Sequence, residues 1–147
     1  MEPVIRKSTY DEMERLCRDL PYNPTAGLRG ITYGDGDAVV AYDNWTHNAV
    51  FMHCWSRATK PWFDRRFLRE IFRYPFEICG KGLVIGFTQG DNAPVLKFCH
   101  RVGFRETHRV RDGWKLGTDL VIQEMRRENC RWLKERSKWD SSKTLVN

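Results

Sequence analysis

The stretch REIFRYPFEICGKGLVIGFTQGDNAPVLKFCHRVGFRETHRVRDG, residues 69–113, changes its apolar period several times, and each change marks an element. Phe63, Phe67, Leu68, Ile71, Phe72 and Phe76 recur at helical spacing and predict a helix over 62–79, closed by Cys79-Gly80. Pro75 lies inside it, and its missing N–H and its ring should bend or break the last turn. LVIGFT, 83–88, is a short apolar run that suits a buried strand. Asp91-Asn92 then offers a helix cap with Pro94 in the first turn. Val95, Leu96, Phe98, Cys99 and Val102 make an apolar stripe, and Gly103 supplies a left-handed stop. Residues 104–110 return to strand-like composition.

Upstream, a β-favouring run at 4–7 precedes Ser8 or Thr9 as a helix cap, with Glu12 placed for a capping box. Met13, Leu16, Cys17 and Leu20 give an amphipathic helix over 10–20, stopped by Pro21. Two β-rich runs, 28–33 and 38–42, flank Gly34-Asp35-Gly36-Asp37, a hairpin signal because these residues tolerate positive φ. A turn at 43–48 leads to 49–56, an almost continuous apolar run that reads as a central strand covered on both faces. Because a helix separates 49–56 from 83–88, the two strands can run parallel through a right-handed crossover. Residues 104–110 and 119–125 predict a closing hairpin around 111–117. The order is β-α-β-β-β-α-β-α-β-β, a mixed and mostly antiparallel sheet with a helix layer on each face.

The 147 residues suit one domain, 1–133, followed by a charged tail, 134–147. The net charge of +6 is uneven: seven of the 25 basic residues and three of the 19 acidic ones lie from Arg126 to Asn147, which leaves +2 for the first 125 residues. The body is therefore nearly neutral, and the excess belongs to a C-terminal segment. That segment reads as a solvated amphipathic helix in which Trp132, Leu133 and Trp139 pack back. The alternative is a tail-directed contact with nucleic acid or the ribosome, which would be salt-dependent. An aromatic content of 13% with six Trp argues against disorder. No apolar run approaches the ~20 residues of a membrane span, and the charged N-terminus does not read as a secretory signal. Five scattered cysteines without a C-x-x-C pair suit reduced thiols in a cytoplasm, and their spacing does not suit a metal site.

With these elements in place, residues 69–113 resemble the Gcn5-related N-acetyltransferase (GNAT) superfamily: helix, strand, Asn-bearing loop, helix, then Gly103-Phe104 opening the next strand. The continuation IQEMRRENCRWL, 122–133, resembles small bacterial and phage members close to the ribosomal-protein branch. The resemblance extends from about residue 49 to 133 and is only topological before that. It implies a three-layer α-β-α fold whose strands near 49–56 and 83–88 splay apart. It also implies acetyl transfer from acetyl-CoA, a co-substrate, to a primary amine by direct transfer, in a monomer or homodimer without metal. In such proteins the pantetheine arm adds to the sheet in the gap by main-chain hydrogen bonds. The pyrophosphate rests on the N-terminus of the long helix.

Residue by residue, the resemblance puts Cys54 and Trp55 at the gap. Arg57, Lys60, Arg65 and Arg66 fall beside the phosphates, and Asn92 falls on the pantetheine, unless Asn92 serves only as a helix cap. No glycine occurs between Arg57 and Asp64, so the family's glycine-rich phosphate loop is absent, and Pro61 removes one further N–H. Many members carry a Tyr as general acid where this chain has Cys99. A thiol can donate a proton, but a small residue in a helix stripe is the plainer role. His53, mid-strand beside the gap, is the candidate base; a hydrogen-bonded core histidine is the alternative. Asp43, Glu106 and His108 are further candidate bases at strand ends. Trp45, Trp55 and Trp114 either line an acceptor pocket or pack. Backbone N–H groups near His53 to Trp55 would meet the oxyanion. A GNAT-fold protein that has lost transfer and serves as a binding or structural module is the competing function.

Overall fold

The computed structural model describes residues 3–20, 23–57 and 64–133. A seven-stranded sheet has the order β1-β2-β3-β4-β5-β7-β6. Its strands are β1 (Ile5–Lys7), β2 (Arg29–Tyr33), β3 (Ala38–Asp43), β4 (Ala49–Ser56), β5 (Leu83–Gln89), β6 (Arg105–Lys115) and β7 (Thr118–Arg126). Three α-helices join them: α1 (Tyr10–Asp19), α2 (Arg65–Arg73) and α3 (Ala93–Val102). Only the β4–β5 pair is parallel among the described strands; the rest are antiparallel.

Local chemistry fixes α1 as the sequence predicts. Thr9 accepts the Glu12 N–H at 3.2 Å, and Glu12 Oε1 accepts the Thr9 N–H at 2.8 Å. The same carboxylate takes a bidentate pair of bonds from Arg6 at 2.7 and 2.9 Å, and together these hold its carboxyl down to about 2. Leu16 of α1 packs on Val39 and Ala41 of β3. On the opposite sheet face, Phe67, Leu68, Ile71 and Phe72 of α2 pack with Tyr33, Val40, Tyr42, Val50, Met52 and Val84. Strand β3 is thus the one covered on both faces, with all six residues buried. The expectation had assigned that role to 49–56. In β4 burial fails after Met52, and Cys54 is exposed.

Helix α2 begins at Arg65, not 62, because Asp64 is extended and caps it, its Oδ1 accepting the Phe67 N–H at 2.7 Å. Pro75 has the expected effect in a specific form: residues Tyr74–Ile78 form one π-helical turn. In a continuous α-helix residue 75 would donate to the Ile71 carbonyl, and Pro75 has no N–H. The Tyr42 hydroxyl fills that vacancy at 2.5 Å, tying β3 to the helix. Helix α3 is capped by Asn92 and ends at Gly103 with φ 124°, as expected. Its stripe is shallower than expected: Val102 is buried, Phe98 and Cys99 are half-buried, and Val95 is exposed.

The closing hairpin is longer and tighter than expected. β6 runs on to Lys115, through register shifts at 106–108 and 110–115 and a left-handed Asp112 at φ 57°. Its return strand β7, not β6, lies against β5.

Candidate active site

The β4–β5 ladder pairs Ala49 with Leu83, Val50 with Val84 and Phe51 with Ile85, and then stops. Beyond that point β4 continues to Ser56 on β3 alone, and β5 continues to Gln89 on β7 alone. Residues 52–56 and 86–89 therefore face each other across a fork with no strand between them. Backbone polar groups along such edges need partners, so the fork is a place for an extended ligand. Phe51 and Phe87 meet edge-on at its apex, with centroids 4.9 Å apart.

Strand alternation assigns the fork residues to two faces. His53 pairs with Ala41, so it shares the α1 face; Cys54 pairs with Val40, so it shares the face of α2 and α3. On the first face His53 Nε2 lies 2.7 Å from Asp43 Oδ1, while Asp43 Oδ2 accepts the Thr25 N–H at 2.9 Å. Asp43 is 3% exposed, so the carboxylate is held on both oxygens and orients the ring. Burial pushes the His53 pKa below its ordinary 6.5, against the opposing pull of Asp43, so the ring is neutral at neutral pH. The pair is diagonal, Asp43 facing Phe51 and His53 facing Ala41. Same-face diagonal neighbours are within reach of long side chains. The register of the β3–β4 hairpin is the signal that makes Asp43 the partner of His53, whereas sequence reading offered it as a rival base.

On the other face, the half-buried Cys99 of α3 lies beside the Thr88 hydroxyl of β5. Thr88 is itself held to Gln123 at 2.8 Å, and both are buried. Burial pushes the Cys99 thiol up, so it stays protonated at neutral pH. Cys54 of β4 is on the same face and is exposed.

Trp55 turns from the fork: its indole donates to Asp19 at 2.8 Å, and Arg15 stacks over it at 4.3 Å. Arg57 lies 3.5 Å from Asp37 in the β2–β3 turn, and Arg66 donates to the Pro3 carbonyl. Arg65 is exposed in the first turn of α2, and Lys60 lies outside the described residues. Asn92 accepts the Val95 N–H at 3.3 Å, which is the capping role. Glu106 and His108 sit on β6, with β7 and β5 between them and β4, and so do not join His53. Trp45 packs on Tyr42 and Tyr74 and donates to the Gly27 carbonyl at 2.9 Å. Among the described residues no group of three or more His, Cys, Asp or Glu is placed to hold a metal ion. None of the described helices is long and apolar enough to cross a membrane.

A mixed sheet forked at its one parallel pair, with α1 on one face and α2 and α3 on the other, is the fold of the GNAT acetyltransferases. No protein-family model and no curated protein matches the chain. Solved structures do. Spermidine/spermine N-acetyltransferase SpeG from Vibrio cholerae, in complex with manganese ions, superposes with a TM-score of 0.70 at 9% identity, covering 91% of this chain and 96% of its own. The same enzyme in complex with CoA and spermine gives 0.63 at 14%, covering 86% and 79%. A GNAT-family putative acetyltransferase from Desulfovibrio desulfuricans gives 0.66 at 14%, covering 84% and 98%. At such identities the likeness establishes the fold.

Proposed function

We propose that the chain is an N-acetyltransferase that moves acetyl from acetyl-CoA to a primary amine by direct transfer. The observation that carries this is the two-faced fork: a half-buried, carboxylate-oriented His53 on one face and the Cys99 thiol on the other. Direct transfer needs that division, because the amine must lose a proton on one side of the thioester and the thiolate must gain one on the other. His53 takes the proton from the incoming amine, and Asp43 fixes the ring and stabilises its charged form. Backbone N–H groups on the open edge of β4 stabilise the oxyanion of the tetrahedral intermediate. Cys99 gives its proton to the departing sulfur and recovers one from solvent. The open edges at 52–56 and 86–89 hold the pantetheine arm. Similarity to acetyltransferases, one of them in complex with CoA and spermine, supports the donor and the amine acceptor at the level of class.

Calorimetric and thermal-shift titration with acetyl-CoA, followed by thiol release with a panel of amines, tests this. Acetyl-CoA at about 100 times its Kd should add about 2.7 kcal/mol of stability, and at least one amine should accelerate thiol release. No shift at millimolar acetyl-CoA sinks the proposal. Binding without transfer to any amine favours the second reading, a GNAT-fold binding or structural protein. That reading draws on the missing glycine-rich loop and on Cys99 in place of the family's Tyr.

A further inference from the structure

In the fold as the sequence resemblance describes it, the free N–H groups at the start of the long helix hold the donor's diphosphate. In this chain an acidic side chain stands at that place. Asp64 puts one carboxylate oxygen on the Phe67 N–H at 2.7 Å and receives the Tyr33 hydroxyl on the other at 2.9 Å. Tyr33 belongs to β2, and β3 and β4 lie between β2 and the fork. The amino end of α2 is thus tied to β2 and carries a negative charge where an anion would need to bind. The Tyr33 hydroxyl is kept protonated by burial and by this bond, so the link persists at neutral pH. Two of the nearby cations are engaged on the same side: Arg57 with Asp37, and Arg66 with the Pro3 carbonyl. The sequence before Asp64 offers no glycine to bring backbone close to a phosphate.

We infer that Asp64 is a specificity-determining residue that denies α2 to the diphosphate, so the fork recognises its donor by the pantetheine arm and gains little from the nucleotide. The ligand class is then pantetheine thioesters in general, with acetyl-CoA bound as one member. This rests on the fork being the donor site, as proposed above.

Titration calorimetry of the full chain with CoA, pantetheine and adenosine 3′,5′-bisphosphate tests it. CoA should bind within about threefold of pantetheine, and the bisphosphate should not compete with CoA at millimolar concentration. Asp64→Asn keeps the cap acceptor and removes the charge; it should tighten CoA about tenfold and leave pantetheine unchanged. Asp64→Ser is a second cap-competent neutral variant should Asn disturb the fold. CoA binding about 100-fold tighter than pantetheine, with the bisphosphate competing, overturns the inference and leaves the donor site standing. An Asp64→Asn chain that folds but keeps the wild-type ratio of CoA to pantetheine affinity also overturns it. Binding of neither CoA nor pantetheine removes the donor site itself, and the inference with it.

Discussion

The fork and the amino end of α2, where the proposed donor's arm and diphosphate would rest, are built differently in this chain. At the fork the strands part: the ladder between them stops at Phe51 and Ile85, and the two continue beyond it without pairing with each other. At α2 a carboxylate stands at the helix start: Asp64 accepts the Phe67 N–H and is held in turn by the Tyr33 hydroxyl. The difference teaches that strand divergence and a helix terminus are set independently, the first by many residues and the second by a few. Strand divergence is held by the whole core, from Val84 to Phe72, and a point substitution does not undo it. A helix terminus is held by a few residues, and one carboxylate is enough to change its charge.

Substitutions on the two sides of this comparison should behave unequally. The largest effect belongs to His53→Gln, which should lower kcat by about 100-fold or more while leaving the affinity for acetyl-CoA within about twofold. Steady-state thiol release with the best acceptor, paired with calorimetry, measures both; equal rates in the variant would remove His53 as the base. Asp43→Asn comes next, at about tenfold in kcat. Its pH profile is more telling than its rate. The wild-type acid limb should have its midpoint below 6.5, because burial disfavours the charged ring. Asp43 pulls that midpoint upward, so removing its charge should move the limb to lower pH. A purely structural Asp43 would leave the limb in place.

Cys99→Ala should cost about fivefold in kcat, since water can replace a weak general acid. The loss should shrink with a donor analogue whose thiol leaves more readily, measured by the same assay. The smallest effect is expected away from the fork. Arg66 is committed to the Pro3 carbonyl, so Arg66→Ala should change CoA affinity by less than about twofold. A loss of about tenfold there would return the phosphates to α2 and erase the contrast between the two regions.

Much of the frame is legible in the sequence because local chemistry dictates it. The capping box at Thr9 and Glu12, the glycine turn at 34–37 and the Asn92 and Gly103 ends of α3 need only their neighbours in the chain. The parallel crossover from β4 to β5 follows from the helix between them. What the sequence hides is long-range. The start of α2 depends on Asp64 finding Tyr33, 31 positions away. The pairing of Asp43 with His53 depends on the register imposed by the turn after β3, where Asn44 takes φ 58°. The burial of β3 in place of β4 depends on where α1 and α2 land, and periodicity gives their faces but not their positions. Placement of β7 between β5 and β6 carries no local signature at all.

Hydrogen exchange with and without acetyl-CoA addresses the open fork most directly, because it reads the backbone groups on which the donor would lie. The amides of residues 52–56 and 86–89 that point into the fork should become protected when acetyl-CoA is added, while those at the start of α2, where Asp64 carries a negative charge, should not change. Unchanged exchange along both edges of the fork, or protection confined to the first turn of α2, would contradict the account.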